Sequence, residues 1–151
     1  MSAMSDSVNF EKSGRQLSDM DFTWLEAQIG LALPPDVRAH YSTFNGGEPE
    51  NYLYVTGKDR YVVQEFFSIR YGKPGHNIED NYRELARNEK IIPNRLVPFA
   101  IDPAGDFYCF DSVTGHISIF RSENLPDLQK CITFLANSMS DFVEGLVEDD
   151  G

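Results

Sequence analysis

The chain has 151 residues, 24 of them acidic and 13 basic, for a formal net charge of −11. One compact domain of that length buries roughly 70% of its unfolded surface and needs no staples, and a composition that is 41% hydrophobic is too apolar for a disordered chain. Charge of this sign repels phosphate backbones and disfavours direct nucleic-acid binding; it steers a basic protein surface inward or simply keeps the protein soluble.

The first seventeen residues, 1–17, read as a flexible polar segment without the apolar run of a signal peptide. Ser18 and Asp21 then form an S-x-x-D capping box. Phe22, Leu25 and Ile29 follow at helical spacing, with Gly30 as the stop. A second helix starts at Pro34-Pro35, places Val37, Tyr41 and Phe44 on one face, and is expected to end in an Asn45-Gly46-Gly47 cap. Residues 52–55 and 61–69 are rich in β-branched and aromatic side chains around a Gly57-Lys58-Asp59 turn, which predicts a hairpin. A glycine-rich loop, 71–76, leads to a third helix carrying Ile78, Tyr82 and Leu85, with Asn77 as its N-cap. Residues 96–101, 106–110 and 116–120 form a meander, its first turn Asp102-Pro103-Ala104-Gly105.

The last third has two readings. One is a continuous helix over 127–147. The other, preferred, is a strand near 130–135 followed by a helix over 139–147, because Cys131-Ile132-Thr133-Phe134 favours extended backbone and Ser138 with Asp141 makes a second capping box. Together these elements predict a single α+β domain, 18–147, with a central, twisted, mainly antiparallel sheet and helices packed mostly on one face. An acidic tail, 148–151, follows.

Chemical motifs are scarce. Asn45-Gly46-Gly47 follows a helix, whereas phosphate loops precede one. Asp102 and Asp106 flank a turn but lack the further oxygen ligands of a calcium loop. His40, His76 and His116 are scattered; no zinc spacing appears, and His40 reads as an exposed surface residue. Cys109 and Cys131 sit in apolar surroundings, where a reduced, buried pair is favoured over a disulfide. No Walker loop or nucleophile elbow occurs, and no window is long and apolar enough to span a membrane. The expectation is a cytoplasmic protein without catalytic residues, cofactor or metal. Its acidic side chains are mostly a solvated surface, Glu79, Asp80 and Glu84 on the third helix among them. The candidate partner-binding residues are Glu48, Glu50 and Asp59, with Tyr52 and Tyr54 as aromatic anchors.

Three segments in order carry a family resemblance. LPPDVRAHYSTFNGG (33–47) has a Leu-Pro start, an aromatic-bearing helix and a terminal Asn-Gly-Gly; IIPNRLVPFAIDPAGDFYCFD (91–111) has a proline before an apolar strand and a Gly-Asp turn; LANSMSDFVEGL (135–146) closes the series, with Met139 where an aromatic is usual. Each is weak alone, but the ordered set resembles the SUKH superfamily of Smi/Knr-like domains over roughly residues 19–146. Its motif positions fall here on Leu33, Pro34, Tyr41, Asn45, Gly46, Gly47, Gly105 and Asp106. The resemblance implies an α+β fold without catalytic residues, and a cognate bacterial toxin as partner, bound and neutralised by an immunity protein. The alternatives are a regulatory scaffold of cell-wall or signalling type, as in fungal members, and a domain binding a small molecule or peptide beside the sheet.

Overall fold

Capping chemistry fixes both ends of the first helix in the computed structural model, which describes residues 8–149. Ser18 Oγ accepts from the backbone N–H of Asp21, and the Asp21 carboxylate accepts from the backbone N–H of Ser18. The box satisfies two donors that a helix start leaves orphaned. Helix α1 (Asp19–Ile29) stops at Gly30, left-handed at φ 74°, and buries Phe22, Leu25 and Ile29. Helix α2 (Pro35–Thr43) opens on the proline pair, as the sequence predicts.

The far end of α2 departs from expectation. Phe44 is already extended, at φ −129°, so the helix closes before Asn45. Asn45 is recruited elsewhere: its Oδ1 accepts from the Ile69 N–H at 2.6 Å, and its Nδ2 donates to the carbonyls of Ile69 and Arg15. Gly46 and Gly47 do adopt positive φ, 76° and 109°, but for close backbone approach and not as a helix cap. A Cβ on Gly47 would lie 2.6 Å from the Glu11 carbonyl oxygen.

Those glycines lead the chain against its own beginning. Strand β1 (Phe10–Glu11) pairs antiparallel with β2 (Glu48–Pro49). Phe10 is buried against His40, Phe44 and Phe66. The segment expected to be flexible is therefore part of the fold from residue 8 to Leu17, while residues 1–7 lie outside the described part. Leu17 is buried too. His40, expected at the surface, packs among these rings with its Nε2 buried and unbonded. Proximity of β1 is what covers it, and helical spacing within α2 does not reveal that contact.

The predicted hairpin forms as β3 (Leu53–Thr56) and β4 (Asp59–Val62) around Gly57-Lys58. The main sheet follows, antiparallel throughout: β5 (Glu65–Phe66), β6 (Leu96–Ile101), β7 (Phe107–Asp111), β8 (Ile117–Phe120) and β9 (Ile132–Ala136), in that spatial order. A bridge between Gly47 and Phe66 ties the β1–β2 ribbon to its β5 edge. Between β5 and β6 lies α3 (Ile78–Tyr82), which continues as a π-helical stretch, Arg83–Asn88. Asn77 does not cap it; the side-chain amide turns back and accepts from the Gly72 N–H instead.

The C-terminal third is broken into strand and helix, as preferred, but Lys130 and Cys131 are helical and the last helix ends at Glu144 instead of running to 147, because Leu146 and Val147 pair with the hairpin. A single helical turn, α4 (Leu128–Cys131), precedes β9; Ser138 then caps α5 (Met139–Glu144); and β10 (Leu146–Val147) adds to β3, giving a second sheet of order β10-β3-β4. Phe142 of α5 is the hub of the core. Its ring centroid lies 4.9 Å from Tyr54, 5.8 Å from Phe99 and 5.7 Å from Tyr108. α2 and α5 contact one another beside this aromatic cluster. Cys109 and Cys131 are both unpaired and buried, and burial pushes the Cys109 thiol well up from its ordinary value.

Candidate protein-binding face

The predicted contact residues fall on two neighbouring ribbons. Glu48 lies on β2, exposed, 3.3 Å from the Lys12 ammonium. Glu50 follows and accepts from Asn9 Nδ2 at 2.8 Å. Asp59 is exposed at the β3–β4 turn and Tyr52 is exposed just before β3. Tyr54 is different: it is half-buried, its hydroxyl donates to the Leu135 carbonyl at 3.0 Å, and its ring packs on Phe142. These two contacts hold the second sheet on the main one and leave Tyr54 less free than Tyr52 to serve as an aromatic anchor.

The β1–β2 ribbon meets α5 and β10 at a small recess lined by Asn9, Pro49, Glu144 and Leu146. Around the two ribbons the exposed carboxylates are Glu11, Glu48, Glu50, Asp59, Asp141, Glu144, Glu148 and Asp149, against the cations Lys12, Lys58 and Arg60. Arg60 is paired with Asp149 at 3.1 Å. Eight negative groups against three positive ones make the surroundings of the two ribbons strongly negative; the register puts Asp59 on the side of Tyr54 and Tyr61, and Arg60 with the exposed Val55 and Val147 on the other side.

The family-type motif positions lie deeper. Leu33 is buried, Pro34 precedes α2, and the Tyr41 hydroxyl donates to the Phe67 carbonyl at 2.8 Å. Gly105, at φ 93°, and Asp106 complete the β6–β7 turn, where Asp102 Oδ1 accepts from the backbone N–H groups of Ala104 and Asp106. The turn is capped by its own side chain.

Sequence reasoning missed a part-buried polar network beside this frame. Asp21, a capping residue, also accepts from the Tyr71 hydroxyl at 2.7 Å and from the Arg70 guanidinium at 3.2 Å. The Ser18 N–H, then Tyr71, hold its carboxyl down to about 2. Arg70 itself is left-handed, at φ 66°, with its N–H donating to both oxygens of Glu79 and its guanidinium over Trp24. Glu79, expected on a solvated face, is 4% exposed, and burial raises its carboxyl to about 7. The partners are about fifty residues apart for Asp21 with Arg70 and Tyr71, so no local pattern announces them.

These observations define a single-domain α+β protein with a carboxylate-rich surface around its two ribbons. The model of the SMI1 / KNR4 family (SUKH-1) matches residues 16–145, and the chain belongs to that family. No curated protein matches the chain in a sequence comparison.

Proposed function

We propose that this protein is a non-catalytic immunity protein that binds a cognate bacterial toxin domain and neutralises it by occlusion or allosteric block. Membership of the SMI1 / KNR4 family (SUKH-1) is the observation that carries the reading. The carboxylate-rich surface around β1, β2 and the β3–β4 hairpin supports a toxin with a basic surface. The free, buried thiols of Cys109 and Cys131 fit a reducing compartment, and the proposal places the protein in the cytoplasm. The same family embraces Smi/Knr-type regulators, so a cell-wall or signalling scaffold is the alternative.

A titration separates the readings. The toxin domain encoded by a neighbouring gene is assayed against increasing amounts of this protein. Loss of toxin activity near one equivalent is the expected result. Loss at far below one equivalent means turnover and overturns the non-catalytic reading; binding to no such domain favours the scaffold.

A further inference from the structure

The main sheet is closed at one edge and open at the other. Gly47 covers β5 through its bridge to Phe66. At the other edge the register decides which backbone groups are free. Arg121 N–H donates to the Cys131 carbonyl at 2.8 Å, which makes that pair a bonded one. Antiparallel pairs alternate between bonded and non-bonded. With Phe120 opposite Ile132 and Ser118 opposite Phe134, the N–H and C=O groups of Ile132 and Phe134 point away from β8. Among the described residues none donates to or accepts from them.

Phe134 on this edge is apolar and 53% exposed, and with Ile132, Pro93 and the buried Leu96 it lines a cleft of about 290 Å³ that also holds His116, Ser118 and the Arg95–Asp111 ion pair. Pro93 also lines a second cleft, of about 780 Å³, walled by Leu31, Ile91 and Leu128. Leu128 and Ile132 flank the start of β9, so the path along the edge runs from the first cleft into the second. The larger cleft carries Arg87 and Lys90, and no acidic side chain is among the described residues lining it. Neither cation has a carboxylate partner among the described residues, as is also true of Arg15, Lys58, Lys73 and Lys130, and Arg87 donates to the Ile29 carbonyl at 2.6 Å, so the cleft sets two cations against no acid. In a protein of net charge −11 that is a local inversion of sign.

We propose that the β9 edge and its two clefts form a docking groove for an extended acidic segment of a partner protein. The segment adds as a further strand at Ile132 and Phe134, seats an apolar side chain beside Phe134, and brings carboxylates at one end to Arg87 and Lys90. A second copy of this chain is disfavoured by its own net charge. The groove is separate from the carboxylate-rich surface, and the inference stands whether or not that surface holds a toxin.

The test uses a phage-displayed library of random decapeptides selected against the full chain, with two variants as counter-targets. Phe134→Pro removes an outward N–H at an edge position, where proline is tolerated, and Lys90→Glu reverses the charge in the larger cleft. Circular dichroism melts confirm that each variant is folded. The expected result is enrichment of peptides with alternating apolar residues and Asp or Glu clustered at one end, bound at least ten-fold more weakly by both variants. Enriched peptides that bind folded Phe134→Pro undiminished overturn the proposal, as does failure to enrich any peptide. Sedimentation showing a dimer of the parent that Phe134→Pro abolishes also overturns it, assigning the edge to a second copy.

Discussion

Asn45, Gly46 and Gly47 show how three adjacent residues can be chosen for contacts far away in sequence. Asn45 ties residues 15 and 69 together through one amide. The glycines let β1 and the 66–68 segment approach the backbone where any Cβ would collide. Gly57 has comparable left-handed geometry, φ 60°, but open space around it. The two positions therefore separate strain from collision. Gly57→Ala should cost about 1 kcal/mol, the penalty of left-handed backbone alone. Gly47→Ala should cost about 2 kcal/mol or more, because the Glu11 and Ser13 backbone must also move. Urea denaturation of the two variants checks the order, and equal losses would show that the approach of β1 is not tight.

Among the elements, those specified by their own residues were legible in the sequence. The Ser18 box, the proline start of α2, the Gly57-Lys58 hairpin, the β6–β8 meander and the break after β9 all rest on chemistry within a few residues. What escaped was set by partners distant in the chain. β1 is only two residues long and becomes a strand by lying against β2. Asn77 has cap-like geometry but satisfies the 72–73 loop in place of the helix start. Of the candidate contact residues, Glu48, Glu50, Tyr52 and Asp59 remain at the surface, while Tyr54 is claimed by a carbonyl 81 residues away. Ser18→Ala tests the local kind of specification. It should lower stability by about 1 kcal/mol, the usual worth of such a cap, measured by urea denaturation. It should also loosen Asp21, whose other bonds reach Arg70 and Tyr71.

For the whole molecule, two buried titratable groups set opposite responses to acid. Burial lowers His40 from its ordinary 6.5 to about 4. Between those values the unfolded chain binds a proton that the folded one refuses, so His40 removes stability as pH falls. Burial raises Glu79 from 4.5 to about 7. There the folded chain keeps a proton that the unfolded one releases, so Glu79 removes stability as pH rises. The two trends oppose each other across most of the same range. Relative to the parent, Glu79→Gln should gain melting temperature progressively from pH 4.5 to 7. His40→Phe should gain relative to the parent as pH falls from 6.5 to 4. Melting curves over that range decide it, and parallel profiles for parent and variant would rule out either assignment. Charge on the outer surface acts on encounter instead. Reversing Glu48 and Glu50 to Lys should slow association with a basic toxin on the order of ten-fold at low salt and far less at 0.15 M, because screening shortens the field to about 8 Å. Stopped-flow binding at two ionic strengths measures this, and an unchanged on-rate places the contact elsewhere.

The strap formed by β1 has a bearing on where this domain begins as a cooperative unit. Sequence similarity to the family spans 16–145, yet Phe10 lies inside the aromatic cluster with His40 and Phe66, and β10 supplies the outer partner of β3. A chain trimmed to the shared span keeps the family motifs except the terminal Leu146 and loses a wall of the core and one strand of the second sheet. Its imidazole at His40, uncovered, should titrate near 6.5 by NMR, and it should melt at lower temperature than the full chain. The span matched to the family is thus shorter than the set of residues that packs this core.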